Sequence, residues 1–261
     1  MGPPWSSIST RRSRRSRSNR RMNERTLDVA LWRGGPDGGA FRQYRVPVTS
    51  RQTVLDVVTW VQRHEDPALS YRFACRVGMC GTCAMTVNGK PRWTCRTLVG
   101  AAEKDGKIEI APLANLPVVK DLACDMAEFF DKWRRAEGRF QPPADAPAGF
   151  AAVPPDDPKR RQAEAGIECI GCAVCYAACD VVAWNPDYLG PAALNRAWTL
   201  VNDVRDGARA ARLHAVAGDA GCHACHSHQS CRQYCPKHLN PTASIAGLKR
   251  ATALAAFKGE I

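Results

Sequence analysis

IECIGCAVCYAACD, residues 167–180, places Cys169, Cys172, Cys175 and Cys179 with two, two and three residues between them. In a C-x2-C-x2-C-x3-C run the first three thiolates hold one cubane iron–sulfur cluster and the fourth leaves to ligate another. The proline that usually follows the fourth cysteine is replaced here by Asp180. Further ligands must come from elsewhere in the chain. Cys225, Cys231 and Cys235 supply them, at x5 and x3 spacing, and Pro236 follows Cys235. A Cys-Pro pair is the usual remote ligand, so Cys235 is expected to join Cys169, Cys172 and Cys175 around a [4Fe-4S] centre. Cys179, Cys225 and Cys231 then remain. Three thiolates suit [3Fe-4S], a cubane missing the iron that no residue holds. His228 stands where a middle cysteine would complete C-x2-C-x2-C. Imidazole can ligate cluster iron, as Rieske centres show. The expectation is that His228 does not.

A third group lies upstream in FACRVGMCGTC, residues 73–83, with Cys95 after it. The spacing Cys75-x4-Cys80-x2-Cys83-x11-Cys95 is the plant-type arrangement for [2Fe-2S]. Gly78 and Gly81 suit a loop wound tightly round a cluster, where backbone N–H groups approach sulfur and tune its potential. Zinc is the competing reading. It usually takes two C-x2-C knuckles, and an x4–x2 loop with glycines argues against it. Cys124 and Cys222 are left over. Cys124 is expected to pack as a small apolar residue, and Cys222 to be a neighbour of the ligands rather than one of them.

The chain has 261 residues and 13 cysteines. Its length suits about two domains. The odd cysteine count, the tight spacings and the lack of a secretory signal argue against a disulfide framework and for metal. No apolar run approaches the ~20 residues of a membrane-spanning helix. The net charge of +12 is uneven, with eight arginines and one acid in residues 1–25. Residues 1–23 read as a disordered basic extension. An Arg- and Ser-rich start can also be a transit peptide. A twin-arginine signal lacks its apolar region here, and RNA binding lacks stacking aromatics. Met22 is an alternative first residue.

Between the motifs, Leu27, Val29 and Leu31 alternate, as do Tyr44, Val46 and Val48. Both runs read as strands joined through GGPDGG, residues 34–39. Val54, Val57, Val58 and Val61 share a helix face over residues 53–64. Residues 84–87, the turn Asn88-Gly89 and residues 92–95 read as a hairpin, and 107–110 as a closing strand. Leu122, Met126, Phe129, Phe130 and Trp133 recur at helical spacing over 121–135 and read as core. Residues 136–160 are a Pro/Ala-rich linker or an irregularly packed loop. Residues 192–216 are mostly helical in pattern, and a final helix over 240–257 carries Pro241 near its first position. The only repeat is that of the two cysteine runs.

Together, CRVGMCGTCAM (75–85), the helix after VVKD (118–121), ECIGCAVCYAAC, WNPDYLGPAAL (184–194) and CPKHLNP (235–241) resemble the iron–sulfur subunit of succinate dehydrogenase or fumarate reductase. The resemblance spans roughly residues 26–257. It implies an α+β chain. A β-grasp plant-type [2Fe-2S] ferredoxin domain over 24–118 precedes an all-helical [4Fe-4S]/[3Fe-4S] ferredoxin domain over 119–261. The implied function is single-electron transfer between the FAD of a flavoprotein and quinone. The implied partners are that flavoprotein and a membrane anchor carrying quinone and sometimes haem b, with no nucleic acid. The implied location is peripheral, on the cytoplasmic face of a bacterial inner membrane or the matrix side of a mitochondrial one. Residues after the first and second [3Fe-4S] ligands line the family's quinone pocket. Trp184 and His226 match that pattern. Asp180 replaces the usual proline, and Ala183 stands where a second tryptophan is common. Asp180 reads as a solvated helix-cap residue ahead of a proton donor.

Two other functions fit parts of the pattern. The same ferredoxin pair could serve another flavin-dependent oxidoreductase, which the identity of the partner would reveal. A zinc-stabilised interaction module with an RNA-binding tail would be colourless, whereas an iron–sulfur protein is brown. No Ser–His–Asp set or paired carboxylates suggest carbon chemistry in this chain.

Overall fold

The computed structural model describes residues 25–49, 51–146 and 149–261. The Arg-rich stretch, with the expectation of a disordered extension over 1–23, lies outside them. Strands β1 (Arg25–Gly35) and β2 (Gly38–Val48) pair antiparallel. Their alternation sends Leu27, Val29, Leu31, Val46 and Val48 to one buried face. Helix α1 (Val54–His64) opens with a capping box: Thr53 Oγ1 accepts from the Asp56 N–H at 3.2 Å, and the Asp56 carboxylate accepts from the Thr53 N–H at 2.9 Å. Its valines cover the buried face of the sheet.

β3 (Ala84–Val87) and β4 (Lys90–Trp93) form the hairpin. Asn88 (φ 48°) and Gly89 (φ 71°) make its turn, the left-handed pair a two-residue hairpin demands. Such a turn fixes Val87 opposite Lys90. The second strand therefore starts at 90, earlier than the expected 92, and Cys95 lies past its end. After α2 (Val99–Ala102), β5 (Lys107–Ala111) inserts parallel to β1 and antiparallel to β3. The sheet order is β2-β1-β5-β3-β4.

The helix expected over 121–135 is shorter. β6 (Val118–Lys120) and β7 (Ala123–Cys124) form a small ladder, and α3 spans Ala127–Arg135. Leu122 packs into the first core, so its helical spacing from Met126 was accidental. Asp121, with φ 50°, turns the chain between the two strands. Phe129 is buried, but Phe130 is half exposed. Cys124 lies in β7 and is buried, with its thiol directed at the Leu113 carbonyl.

Beyond α3 the described residues, 136–146 and 149–157, are irregular, and α4 (Pro158–Ala163) and a 3-10 turn (Glu164–Glu168) follow. Then come α5 (Val174–Ala177), α6 (Asp180–Trp184), α7 (Gly190–Val201) and α8 (Arg209–Val216). After a second 3-10 turn (Cys222–Ala224) follow α9 (Ser230–Gln233) and α10 (Pro241–Phe257). The expected helical stretch over 192–216 is thus two helices. Asn240 caps α10, its side chain accepting from the Ala243 N–H at 3.1 Å, and Pro241 takes the first turn. Helix α7 is buried nearly all round and centres a second core with α5, α8 and α10.

The two cores meet along a seam. Ala84, Leu113 and Leu116, from the sheet half, pack into the helical core. Asn115 directs its amide Nδ2 at the carbonyls of Tyr176, Ala177 and Cys179, at 3.1, 3.4 and 3.2 Å. Among the described residues no helix is long and apolar enough to cross a membrane.

Candidate iron–sulfur sites

The loop between residues 75 and 83 winds back on itself, with positive φ at Arg76, Gly78 and Gly81. This aims backbone N–H groups at sulfur: those of Met79 and Cys80 donate to Cys75 Sγ at 3.2 and 3.3 Å. With the Val77 N–H, which contributes most, they hold the Cys75 thiol down to about 6. Thr94 is fully buried and fixes the far side, its hydroxyl donating to the Cys83 carbonyl at 2.7 Å. Cys95 is pushed up to about 12, by burial first and then by the neighbouring Cys83 sulfur. The Cys80 thiol neighbours Cys75 Sγ, and Cys83 and Cys75 neighbour Cys95, so the loop brings its three sulfurs to the one that follows the hairpin.

In the helical half, the sulfurs sort into two small cavities. Cys169, Cys172, Cys175 and Cys235 line one, walled by Ala173, Ala192 and Pro236. Residues 171–173 reach it through left-handed backbone at Gly171 (φ 63°) and at buried Ala173 (φ 61°). A non-glycine residue held there is strained. Burial, then the sulfurs of Cys169 and Cys235, push Cys172 up to about 12, and Cys175 is raised well above the ordinary thiol range. Burial, and then the neighbouring Cys235 sulfur, raises Cys169 as well, so negative charge on these three thiols calls for compensating cations.

Cys179, Cys225 and Cys231 line the other cavity, with Tyr188, Pro191 and Ile245 behind them. The Ser227 N–H donates to Cys225 Sγ at 3.4 Å, and Thr242 Oγ1 lies 3.3 Å from Cys231 Sγ. Tyr188 is buried beside Cys225, and burial raises its hydroxyl pKa. His228 also borders this cavity, but its Nδ1 faces Asp180 Oδ2 at 3.2 Å, and both side chains are exposed. Asp180 opens α6 without capping it; the N-cap position belongs to Cys179. The rings of Trp184, His226 and His228 lie 6.0 Å from one another, centre to centre. Trp184 is well exposed. Cys222 joins neither cavity and packs into the helical core beside Thr252.

Among the described residues no three His, Cys, Asp or Glu side chains converge as they would on a single metal ion. The seven thiols of the helical half instead ring two cavities. That suits a multi-iron core, in which each iron takes only one or two protein ligands. The donors are soft sulfur throughout, and backbone N–H groups face them, as iron–sulfur centres require. The residues present fit such groups. Sequence spacing had identified the thiols but not Tyr188, Thr242 or Asn115. Tyr188 and Thr242 sit within or next to the quoted motifs, whereas Asn115 carried no signal.

Known proteins agree with this chemistry. A family profile described as a 2Fe-2S iron-sulfur cluster binding domain matches residues 28–131, and a 4Fe-4S dicluster domain profile matches 168–240. The chain is 35% identical over 248 residues to a fumarate reductase iron-sulfur subunit of Mycobacterium tuberculosis, covering 91% of this chain and 96% of the relative. It is 32% identical over 234 residues to a mitochondrial succinate dehydrogenase [ubiquinone] iron-sulfur subunit 1 of Oryza sativa, covering 87% and 82%. A chain of the Mycobacterium smegmatis Sdh1 complex in the apo form superposes with a TM-score of 0.82 at 26% identity, covering 90% of this chain and 98% of that one.

Proposed function

This chain belongs to the family of succinate dehydrogenase and fumarate reductase iron–sulfur subunits, and on that premise we propose that it carries single electrons between the FAD of a partner flavoprotein and quinone at a membrane anchor. The observation that carries the reading is the sorting of eleven thiols into one loop and two separate cavities. Cys75, Cys80, Cys83 and Cys95 would hold [2Fe-2S]. Cys169, Cys172, Cys175 and Cys235 would hold [4Fe-4S], and Cys179, Cys225 and Cys231 would hold [3Fe-4S]. Iron–sulfur centres, when bound, take up and release one electron at a time, which divides the two-electron exchange of flavin or quinone into single steps.

The protein's own contribution is to hold and shield. N–H groups of Met79, Cys80 and Ser227 offset thiolate charge. Apolar walls of Ala173, Ala192 and Ile245 keep water from the sulfurs. We read the mixed sheet with α1 across it as a β-grasp domain, and residues 119–261 as the helical ferredoxin domain. At the three-thiol cavity, the Trp184 indole N–H and the His226 imidazole are the groups suited to a quinone carbonyl. This end faces a membrane anchor, with or without haem b, which places the subunit peripherally on the membrane.

Anaerobic purification with the co-expressed partners tests the reading. The expected result is about nine irons per chain, the total of a two-, a four- and a three-iron centre, together with a bound flavoprotein. Eight irons with two paramagnetic centres would show one centre to be misassigned.

A further inference from the structure

We propose that Gly81 is a positioning residue for electron transfer: its bare backbone sets the gap between the two-iron loop and the four-iron cavity, and electrons cross there. The inference rests on the ligand assignment proposed above. Gly81 follows Cys80 directly in the two-iron loop. A Cβ built on it would lie 2.7 Å from Cys172 Cβ, 2.9 Å from Cys172 Cα and 3.1 Å from the Ile170 carbonyl oxygen. Cys172 is one of the thiols of the four-iron cavity. The backbone beside one set of ligands thus touches a ligand of the next.

Neither side has slack. The atoms opposite Gly81 are backbone and Cβ, not the end of a flexible side chain. Cys172 is fixed between two left-handed residues, Gly171 and the buried Ala173. Nearby, the Asn115 amide and the packing of Ala84, Leu113 and Leu116 clamp the two halves together. Gly78 gives the contrast. Its φ of 75° matches the 72° of Gly81, but a Cβ at Gly78 would meet Trp93 and Arg96 of its own half. Turn geometry and close packing within the sheet half account for Gly78. At Gly81 the close neighbour is instead the helical half, so the space requirement there belongs to the seam.

The exchange would move one electron, one centre losing what the other gains. No bond forms and no proton moves. Flavin and quinone, at the two ends of the route, are the donor and the acceptor in whichever direction the complex runs. Electron tunnelling weakens exponentially with separation, so a methyl group that wedges the seam apart slows the exchange while leaving every thiol in place.

The test uses the full chain in its assembled complex, purified anaerobically as wild type, Gly81→Ala, Gly78→Ala and Asn115→Gly. Iron content, the midpoint potential of each centre and the magnetic coupling between the two reduced centres are measured by EPR. Gly81→Ala and Asn115→Gly are expected to keep their iron and potentials, to lose part of the coupling and to slow single-turnover transfer severalfold. Gly78→Ala is expected to keep the wild-type coupling. Unchanged coupling in a fully loaded Gly81→Ala overturns the proposal. If Gly81→Ala fails to load iron, Asn115→Gly decides: it loosens the seam without touching the two-iron loop, and unchanged coupling in an Asn115→Gly complex that keeps its iron overturns the proposal equally. A wild type lacking either signal would overturn the ligand assignment instead, which is a different failure.

Discussion

Asp121 gathers three donors on two oxygens. Oδ1 accepts from Arg33 Nε at 2.9 Å and from the Gly34 N–H at 3.1 Å, and Oδ2 accepts from the Ser70 N–H at 2.8 Å. Burial alone would raise its pKa, but Arg33 and the two N–H groups outweigh burial and hold it below the usual carboxylate range. A depressed folded pKa contributes stability that is fully present above the unfolded value, about 4, and lost as pH falls through the folded one. Asp121→Asn turns an acceptor into a donor facing the Ser70 N–H and leaves Arg33 with one charge partner fewer. It is expected to cost about 3 kcal/mol near neutral pH. In denaturant titrations the deficit should shrink as the pH falls below about 4. A deficit that persisted unchanged at low pH would show that the carboxylate charge is not the source. At His228, the imidazole turned towards Asp180 leads to a spectroscopic expectation. His228→Ala should retain the near-isotropic low-temperature EPR signal of an oxidised three-iron centre, and His228→Cys should abolish it by supplying a fourth thiolate. A signal seen only in His228→Ala, and absent from wild type, would make the histidine a ligand.

A buried ion pair helps to seat helix α8, whose Leu213 and Val216 pack into the helical core. Arg212 and Asp206 are both fully buried, with Nη1 and Oδ1 2.6 Å apart. Arg212 also donates to the carbonyls of Glu137 and Arg139, which ties the irregular segment after α3 to the helical core. Arg212→Met strands the Asp206 carboxylate and is expected to cost about 4 kcal/mol. Adding Asp206→Leu should restore most of it, because a buried pair replaced by apolar groups is often neutral. A double variant no better than the single one would assign the cost to the backbone groups the pair serves, the Glu137 and Arg139 carbonyls and the Gln141 and Ala208 N–H groups. The same element shows what a sequence can reveal. Period-two runs such as Leu27-x-Val29-x-Leu31 and the valine face of α1 were legible, because each buries its apolar side against a single core. The loop that separates α7 from α8 was not, since it depends on a charged pair whose burial only the folded chain creates. Helices α5, α6 and α9 have four or five residues each, too few to stand on propensity. The cysteine spacing marked their positions but not their shape. Asn115 was invisible for a related reason: its acceptors lie 61 to 64 residues further along the chain.

Across the whole molecule the two halves differ in what holds them. The sheet half has a five-stranded sheet, a capped helix and its own continuous core. The helical half has its core round α7 and α10 but strings the very short helices α5, α6 and α9 beside two thiol-lined cavities. Removing iron should therefore act unevenly, since cluster binding there is coupled to folding. In hydrogen–deuterium exchange of chelator-treated protein, residues 169–184 and 222–235 are expected to lose protection first, while β1 and α1 keep theirs. Uniform loss across both halves would show that the seam couples them into one unfolding unit.

The ligands of the two helical cavities are interleaved along the chain, and this has a consequence for biosynthesis. A nascent chain that has emerged as far as residue 222 offers three of the four thiols of one cavity and a single thiol of the other. The second run completes both within eleven residues, from Cys225 to Cys235. The three-thiol site has its last thiol at Cys231 and the four-thiol site only at Cys235, so both wait for the second run. Iron delivery to this half must follow synthesis of that run, and a truncation anywhere before Cys235 leaves the four-thiol site incomplete rather than yielding a shorter, still conducting protein.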